Sequence, residues 1–288
     1  MKSLFKNEAA KDEYDRQYDQ TLVLFGMAGE SRRIHTSFGE THVLIYGDRD
    51  KPPLVLLHGM TMSSTMWYPN MKALCGQRCV YAIDSVGDFG KSKSEHHIKT
   101  REEANKWLYE VLYALEIEKT DMAGHSMGGF MAMNFALAYP ERISKLLLYA
   151  PAGAFTRVSL RFIMKIYPAL LFHTDQSIDK AFLWFSGNNQ PLHPVFRNQI
   201  LAGYKTAKPL QRLMPSVISE DEFANFHVPT LLLVGGREVI YSPNKAILAA
   251  KSRISHLKSY LIPEASHALT IEQADRVNEL SLQFLGET

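Results

Sequence analysis

Five residues limit this chain more than any others: Gly124-His125-Ser126-Met127-Gly128. A serine stands between two glycines, each two positions away, behind a short apolar run and ahead of a segment of helical character. A strand that turns at once into a helix holds its apex residue in a strained backbone conformation. Only small residues at the minus-two and plus-two positions let the two arms pass that closely. Such a turn projects the Ser126 hydroxyl towards a base. It also leaves the Met127 N–H at a helix N-terminus, pointing at any oxyanion formed there. With 17 glycines and 21 serines in 288 residues, the pattern arises by chance about 0.07 times. The surroundings therefore decide: they must supply a strand, a helix, a histidine, an acid and a second oxyanion donor.

The apolar pattern supplies the frame. Leu54–Leu57, Val80–Ile83, Lys145–Tyr149 and Thr230–Val234 are short continuous runs of the kind buried on both faces of a parallel sheet. The weaker run Thr120–Ala123 leads into the serine turn, and Leu257–Ile262 predicts a last strand. Ile34–Phe38 and Thr41–Tyr46 read as an N-terminal hairpin, preceded by a polar surface helix over residues 8–20. Helical stretches at Glu102–Leu115, Gly128–Ala138 and Ile271–Leu285 lie between or after the strands. Strands alternating with helices predict a mostly parallel, doubly wound α/β sheet with right-handed crossovers. Some eighty residues between the sixth and seventh strands do not fit one crossover. They are rich in aromatics, among them Phe155, Phe162, Tyr167, Phe172, Phe182, Trp184, Phe185 and Phe196. The expected organisation is a core formed by residues 1–152 and 223–288, with a helical cap at 153–222, where such sheets bind ligands.

The ends of the strands then fill the stations that Ser126 requires. His58-Gly59-Met60 follows one strand, so the Met60 N–H is the candidate second oxyanion donor and His58 a support of that loop. Losing one such donor commonly costs about 2.7–4 kcal/mol of transition-state stabilisation. Gly235-Gly236-Arg237-Glu238 follows another strand and offers Glu238 as the acid. The loop after Lys145–Tyr149 carries no carboxylate, and Asp221 and Glu222 lie upstream of the strand. Pro263-Glu264-Ala265-Ser266-His267 follows the last strand and offers His267 as general base. Asp84 and Asp88 are expected to cap and brace their loop, and His125 to be structural. His96, His97, His173 and His193 are expected at the surface or in the cap.

These motifs, in this order, resemble the α/β-hydrolase superfamily and, within it, its bacterial carboxylesterase-like branch. The resemblance rests on His58-Gly59, the run from Asp84 through Gly87-Asp88-Phe89-Gly90-Lys91-Ser92, the serine turn, Gly235 to Glu238 and Pro263 to His267, and it extends to Ser64 and Trp67. It implies acyl transfer to Ser126 and hydrolysis of a small carboxylic ester without a cofactor or metal. The acid is Glu where most members have Asp, and Asp88 stands where many relatives carry another residue. Relatives that open epoxides or displace halide need an aspartate at position 126. Thioesterase, lactonase and carbon–carbon hydrolase chemistry use the same three residues, and a small-molecule receptor can be built on the same fold.

Composition narrows the remaining classes. The chain is 46% hydrophobic and 22% charged, with a net charge of +2 and no dense Lys/Arg block, so no nucleic-acid partner is expected. Cys75 and Cys79 lack further ligands at zinc spacing and read as a reduced pair. No run approaches the ~20 apolar residues of a membrane span, and the first residues lack the apolar stretch of a signal peptide. The expectation is a soluble, cytoplasmic protein of unspecified oligomeric state.

Overall fold

The computed structural model describes residues 4–287 apart from 161, 163, 166–171, 173, 187–190 and 211. Strands β1 (Glu30–Thr36), β2 (Gly39–Tyr46), β3 (Pro53–Leu57), β4 (Cys79–Ile83), β5 (Lys93–Ser94), β6 (Thr120–His125), β7 (Ile143–Tyr149), β8 (Thr230–Gly235) and β9 (Leu257–Ile262) form one sheet. Its order is β1-β2-β4-β3-β6-β7-β8-β9, with β5 paired to β2. β1 and β2 form an antiparallel hairpin, and β2 runs antiparallel to β4. From β4 across to β9 every pairing is parallel. This is the α/β-hydrolase sheet that the motif order implied. The two-residue β5 is too short to leave a periodic signal, so the strands flanking the insertion are the seventh and eighth, not the sixth and seventh.

Successive side chains of a strand point to opposite faces, and here both faces are covered. Val55 and Leu57 of β3 join a core layer with helices α2 (Arg101–Ala114), α3 (Met127–Ala138) and α6 (Pro243–Arg253). Leu54 and Leu56 join the opposite layer with α1 (Glu8–Leu22), α4 (Asp175–Phe185), α5 (Pro194–Thr206) and α7 (Ala274–Gly286). α2 starts at a capping box, in which Thr100 and Glu103 satisfy each other's backbone N–H groups. The final helical stretch is split: a single turn at Leu269–Glu272 breaks at Gln273 before α7 begins.

Two further features differ from expectation. α1 is no surface appendage: Tyr14 and Tyr18 are fully buried in the second layer. The Tyr14 hydroxyl accepts from Gln199 Nε2 of α5 at 3.1 Å, and the Tyr14 ring lies against Phe5 and Phe89. Phe155, Leu213 and Ile218, near the two ends of the insertion, pack into the first core layer. Beneath the sheet, Arg78 Nε donates to Asp121 at 2.7 Å and Arg78 Nη2 to the Leu285 carbonyl at 2.7 Å. Lys145 Nζ donates to the Phe284 and Leu285 carbonyls, at 3.1 and 2.9 Å, so these two cations cap the end of α7. Cys75 and Cys79 are buried free thiols, and burial pushes the Cys75 thiol up to about 12. Among the described residues no helix is long and apolar enough to cross a membrane.

Candidate active site

Ser126 sits between β6 and α3 with φ 54° and ψ −115°, a conformation that costs an L-residue about 1–3 kcal/mol. The surrounding structure enforces it. The Ser126 N–H donates to the Tyr149 carbonyl of β7, and the Ser126 carbonyl accepts from the N–H groups of Phe130 and Ala152. The flanking glycines are required by contact: a Cβ at Gly124 would meet the Gly128 carbonyl oxygen at 2.3 Å, and one at Gly128 would meet the Leu57 carbonyl oxygen at 2.1 Å. The elbow therefore presses directly on the end of β3, where the His58-Gly59-Met60 turn begins. Ser126 Cβ lies 3.5 Å from the position of a Cβ on Gly59.

That turn is held by its own atoms. The Ser85 N–H donates to His58 Nε2 at 2.9 Å, which fixes the proton on Nδ1; Nδ1 in turn donates to the Gly59 carbonyl at 2.8 Å. The Met62 N–H also reaches the Gly59 carbonyl, at 3.2 Å. With the carbonyl of the Gly59–Met60 peptide fixed, its N–H points the opposite way, as a trans peptide requires. His58 thus supports the loop, as its position suggested. Among the described residues neither the Met60 nor the Met127 N–H has a backbone acceptor.

The loops after β8 and β9 bring the candidate acid and base together. His267 Nδ1 donates to Glu238 Oε2 at 2.9 Å, and both side chains are buried. Glu238 Oε1 accepts from the N–H groups of Val239 and Ile240, each at 2.8 Å, so the carboxylate cannot rotate away. The two loops interlock: the Gly236 N–H donates to Ile262 and the Arg237 N–H to Ala265. Gly235 allows this approach, because a Cβ there would lie 2.3 Å from the Ser266 carbonyl oxygen. With Nδ1 committed to Glu238, the other ring nitrogen of His267 makes no hydrogen bond among the described residues. Ser126 Oγ makes no hydrogen bond among the described residues; such contacts commonly tighten only when substrate is bound.

His125 joins the elbow to the loop of His267. Its Nε2–H donates to the His267 carbonyl at 2.8 Å, and the two rings lie 5.0 Å apart. Burial, followed by the neighbouring His267 and His58, holds its imidazole down at about 3 despite that bond, so it is neutral. Of the cap aromatics, Phe185 packs on the His267 ring with centroids 6.0 Å apart and is joined by Phe162 and Trp184. Phe182 meets Tyr204, while Phe155 packs against Phe223 in the core. His96 and His193 are exposed; Tyr167 and His173 lie outside the described residues.

Asp84 and Asp88 both brace the site, but over longer reach than their own loop. Asp84 accepts from Tyr18 Oη (3.0 Å), His42 Nδ1 (2.9 Å) and the N–H groups of Ser64 (2.8 Å) and Lys91 (2.9 Å). Burial raises its carboxyl, but the bond to His42 and the closeness of that ring prevail and hold it at about 2. His42, Tyr18 and Gln199, the last bonded to Thr65 and Ser63, were not singled out from the sequence. Tyr14 and Tyr18 alone left a signal, one turn apart in a charged helix.

A strained serine at a strand–helix elbow, with a histidine–carboxylate pair on the loops after β8 and β9, is an arrangement of the hydrolase type. A family model described as alpha/beta hydrolase fold matches residues 52–188. The chain is 38% identical over 280 residues to an uncharacterized carboxylesterase, nap, of Bacillus subtilis, covering 95% of this chain and 92% of that one. Against the crystal structure of naproxen esterase (carboxylesterase NP) from Bacillus subtilis the TM-score is 0.91 at 35% identity, covering 96% and 98% of the two chains. Against carboxylesterase CesB (YbfK) of the same organism it is 0.90 at 32%, covering 96% and 99%. The chain belongs to the α/β-hydrolase family, and within it to the bacterial carboxylesterase-like branch.

Proposed function

We propose that this chain hydrolyses small carboxylic esters through an acyl-enzyme on Ser126, with His267 as general base and Glu238 as the acid that orients it. The observation that carries the reading is the bond from His267 Nδ1 to a Glu238 whose other oxygen is held by two backbone N–H groups. It fixes the tautomer in which His267 Nε2 takes the Ser126 proton, and it stabilises the imidazolium that results. Ser126 Oγ attacks the ester carbonyl, and the N–H groups of Met60 and Met127 receive the oxyanion. His267 returns its proton to the departing alcohol. Water, deprotonated by His267 in the same way, then attacks the acyl-enzyme; the acid leaves and Ser126 regains its proton. Residues 153–222 act as a cap, with Phe185 forming an apolar wall beside His267.

The test is labelling of the purified protein with a fluorophosphonate, followed by peptide mapping, beside hydrolysis of p-nitrophenyl acetate and butyrate. One adduct on Ser126 and steady nitrophenol release are expected. Labelling without repeated turnover would mark a receptor, and no labelling at all would remove the nucleophile.

A further inference from the structure

The turn that carries Met60 is gripped from outside by two residues, Asp88 and Tyr204. Thr61 has φ 57°, a left-handed conformation costly for a β-branched residue. Its N–H points at Asp88, whose Oδ1 and Oδ2 both lie 3.0 Å away. Asp88 is buried and caps its own loop through a single bond, from the Phe89 N–H to Oδ1 at 2.8 Å. Local bracing therefore needs one oxygen, yet both converge on a residue 27 positions upstream. The Thr61 hydroxyl donates to the Met60 carbonyl at 2.7 Å. Its only hydrogen is then used, so in the 2.7 Å contact with Tyr204 Oη the tyrosine is the donor. Tyr204 lies on α5 of the insertion, buried with its ring edge-on to Phe89 and Phe182.

Together these contacts fix the peptide from Met60 to Thr61 at both ends, its N–H on Asp88 and its carbonyl on the Thr61 hydroxyl. Flipping that peptide would relax Thr61 to negative φ and turn Met60 with it. A charged acceptor at a buried N–H is the strong form of such a bond and opposes the flip. We propose that Asp88 and Tyr204 are positioning residues for the oxyanion turn: acting through Thr61, they hold the Met60 N–H on target, and Tyr204 makes that aim depend on the seating of α5. The inference rests on the reading above, in which Met60 donates to the oxyanion.

The test uses the full chain carrying Asp88→Asn, Tyr204→Phe, Thr61→Val, Thr61→Ser and the double variant Tyr204→Phe/Thr61→Val. Steady-state hydrolysis of p-nitrophenyl butyrate is measured beside binding of an alkyl trifluoromethyl ketone, whose adduct places an oxyanion in the hole, and of the matching methyl ketone, which mimics ground-state binding. A small misplacement of a group around the reacting atoms costs up to about 10²-fold. Asp88→Asn should therefore lower kcat by about that factor with little change in KM, and weaken the trifluoromethyl ketone but not the methyl ketone. Tyr204→Phe and Thr61→Val should each lower kcat by about tenfold. The double variant should be no worse than Thr61→Val, because Tyr204 acts only through the Thr61 hydroxyl; Thr61→Ser should match the parent. A lowered Tm with unchanged kcat and ketone discrimination would overturn the proposal, as would additive losses in the double variant. Tyr204→Phe and Thr61→Val decide the matter if Asp88→Asn does not fold. A parent protein that neither turns over ester nor labels on Ser126 overturns the parent reading instead, before any variant is compared.

Discussion

Glu238 Oε2 lies 2.9 Å from Nδ1 of His267 although 29 positions separate the two residues. The acid is longer by one methylene than the aspartate more usual at this station, and the extra reach is taken up by pinning its far oxygen to the next two backbone N–H groups. Glu238→Gln keeps the shape but offers an amide N–H where the imidazole needs an acceptor, favouring the wrong tautomer. Turnover of p-nitrophenyl acetate should fall about 10³–10⁴-fold with the fold intact by circular dichroism. A near-parental rate would move the acid elsewhere.

Ser126→Ala should lower turnover by about 10⁴–10⁶-fold and abolish fluorophosphonate labelling while leaving the protein folded. Ser126→Gly should also be inactive and, because it relieves a positive φ, should melt higher than Ser126→Ala. Differential scanning calorimetry of the pair checks this; equal melting temperatures would mean that the elbow carries no strain.

Asp84 gathers four donors in a fully buried position. Asp84→Ala leaves the Tyr18 hydroxyl, His42 and two backbone N–H groups without this acceptor, so stability should fall by about 3–5 kcal/mol, read as a lower urea midpoint. Its carboxyl is held at about 2, below the ordinary 3.8. That contribution is fully present above 3.8 and is lost as pH falls towards 2.

At milder pH, His125 and Asp88 act in opposite directions. His125 is held at about 3, below its ordinary 6.5, so the unfolded chain binds the extra proton and stability drops as pH falls below 6.5. Burial first, with Asp84 adding, pushes Asp88 up to about 6 against the neighbouring His58 and the N–H groups of Phe89 and Thr61. The folded chain then binds the extra proton, and stability rises as pH falls from 6 towards 4. Relative to the parent, the decline in Tm from pH 6.5 to 4 should be shallower in His125→Gln and steeper in Asp88→Asn. Parallel profiles in calorimetry at stepped pH would contradict both assignments.

The sequence exposed the residues that stand at strand ends, because a buried parallel strand is a continuous apolar run and the loop after it can be read directly. Ser126, Glu238, His267 and the turn at His58 were legible in that way. The network around them was not. Tyr18 and His42 meet Asp84 from 66 and 42 positions away, and Tyr204 meets Thr61 from 143; no local pattern encodes such a contact. The burial of α1 had a signal, since Tyr14 and Tyr18 stand one turn apart among charges, but a helix read as polar hid it. The two-residue β5 offered no period to detect.

The clamp that Arg78 and Lys145 place on the Phe284 and Leu285 carbonyls has a bearing on the order in which the molecule folds. Arg78 and Asp121 form a buried ion pair beneath the sheet, and Arg78 is completed only by a carbonyl some two hundred residues downstream. A chain in which α7 has not docked would leave that guanidinium half-satisfied and one face of β8 bare. Docking of α7 is then the step that completes Arg78 and closes this face of the fold.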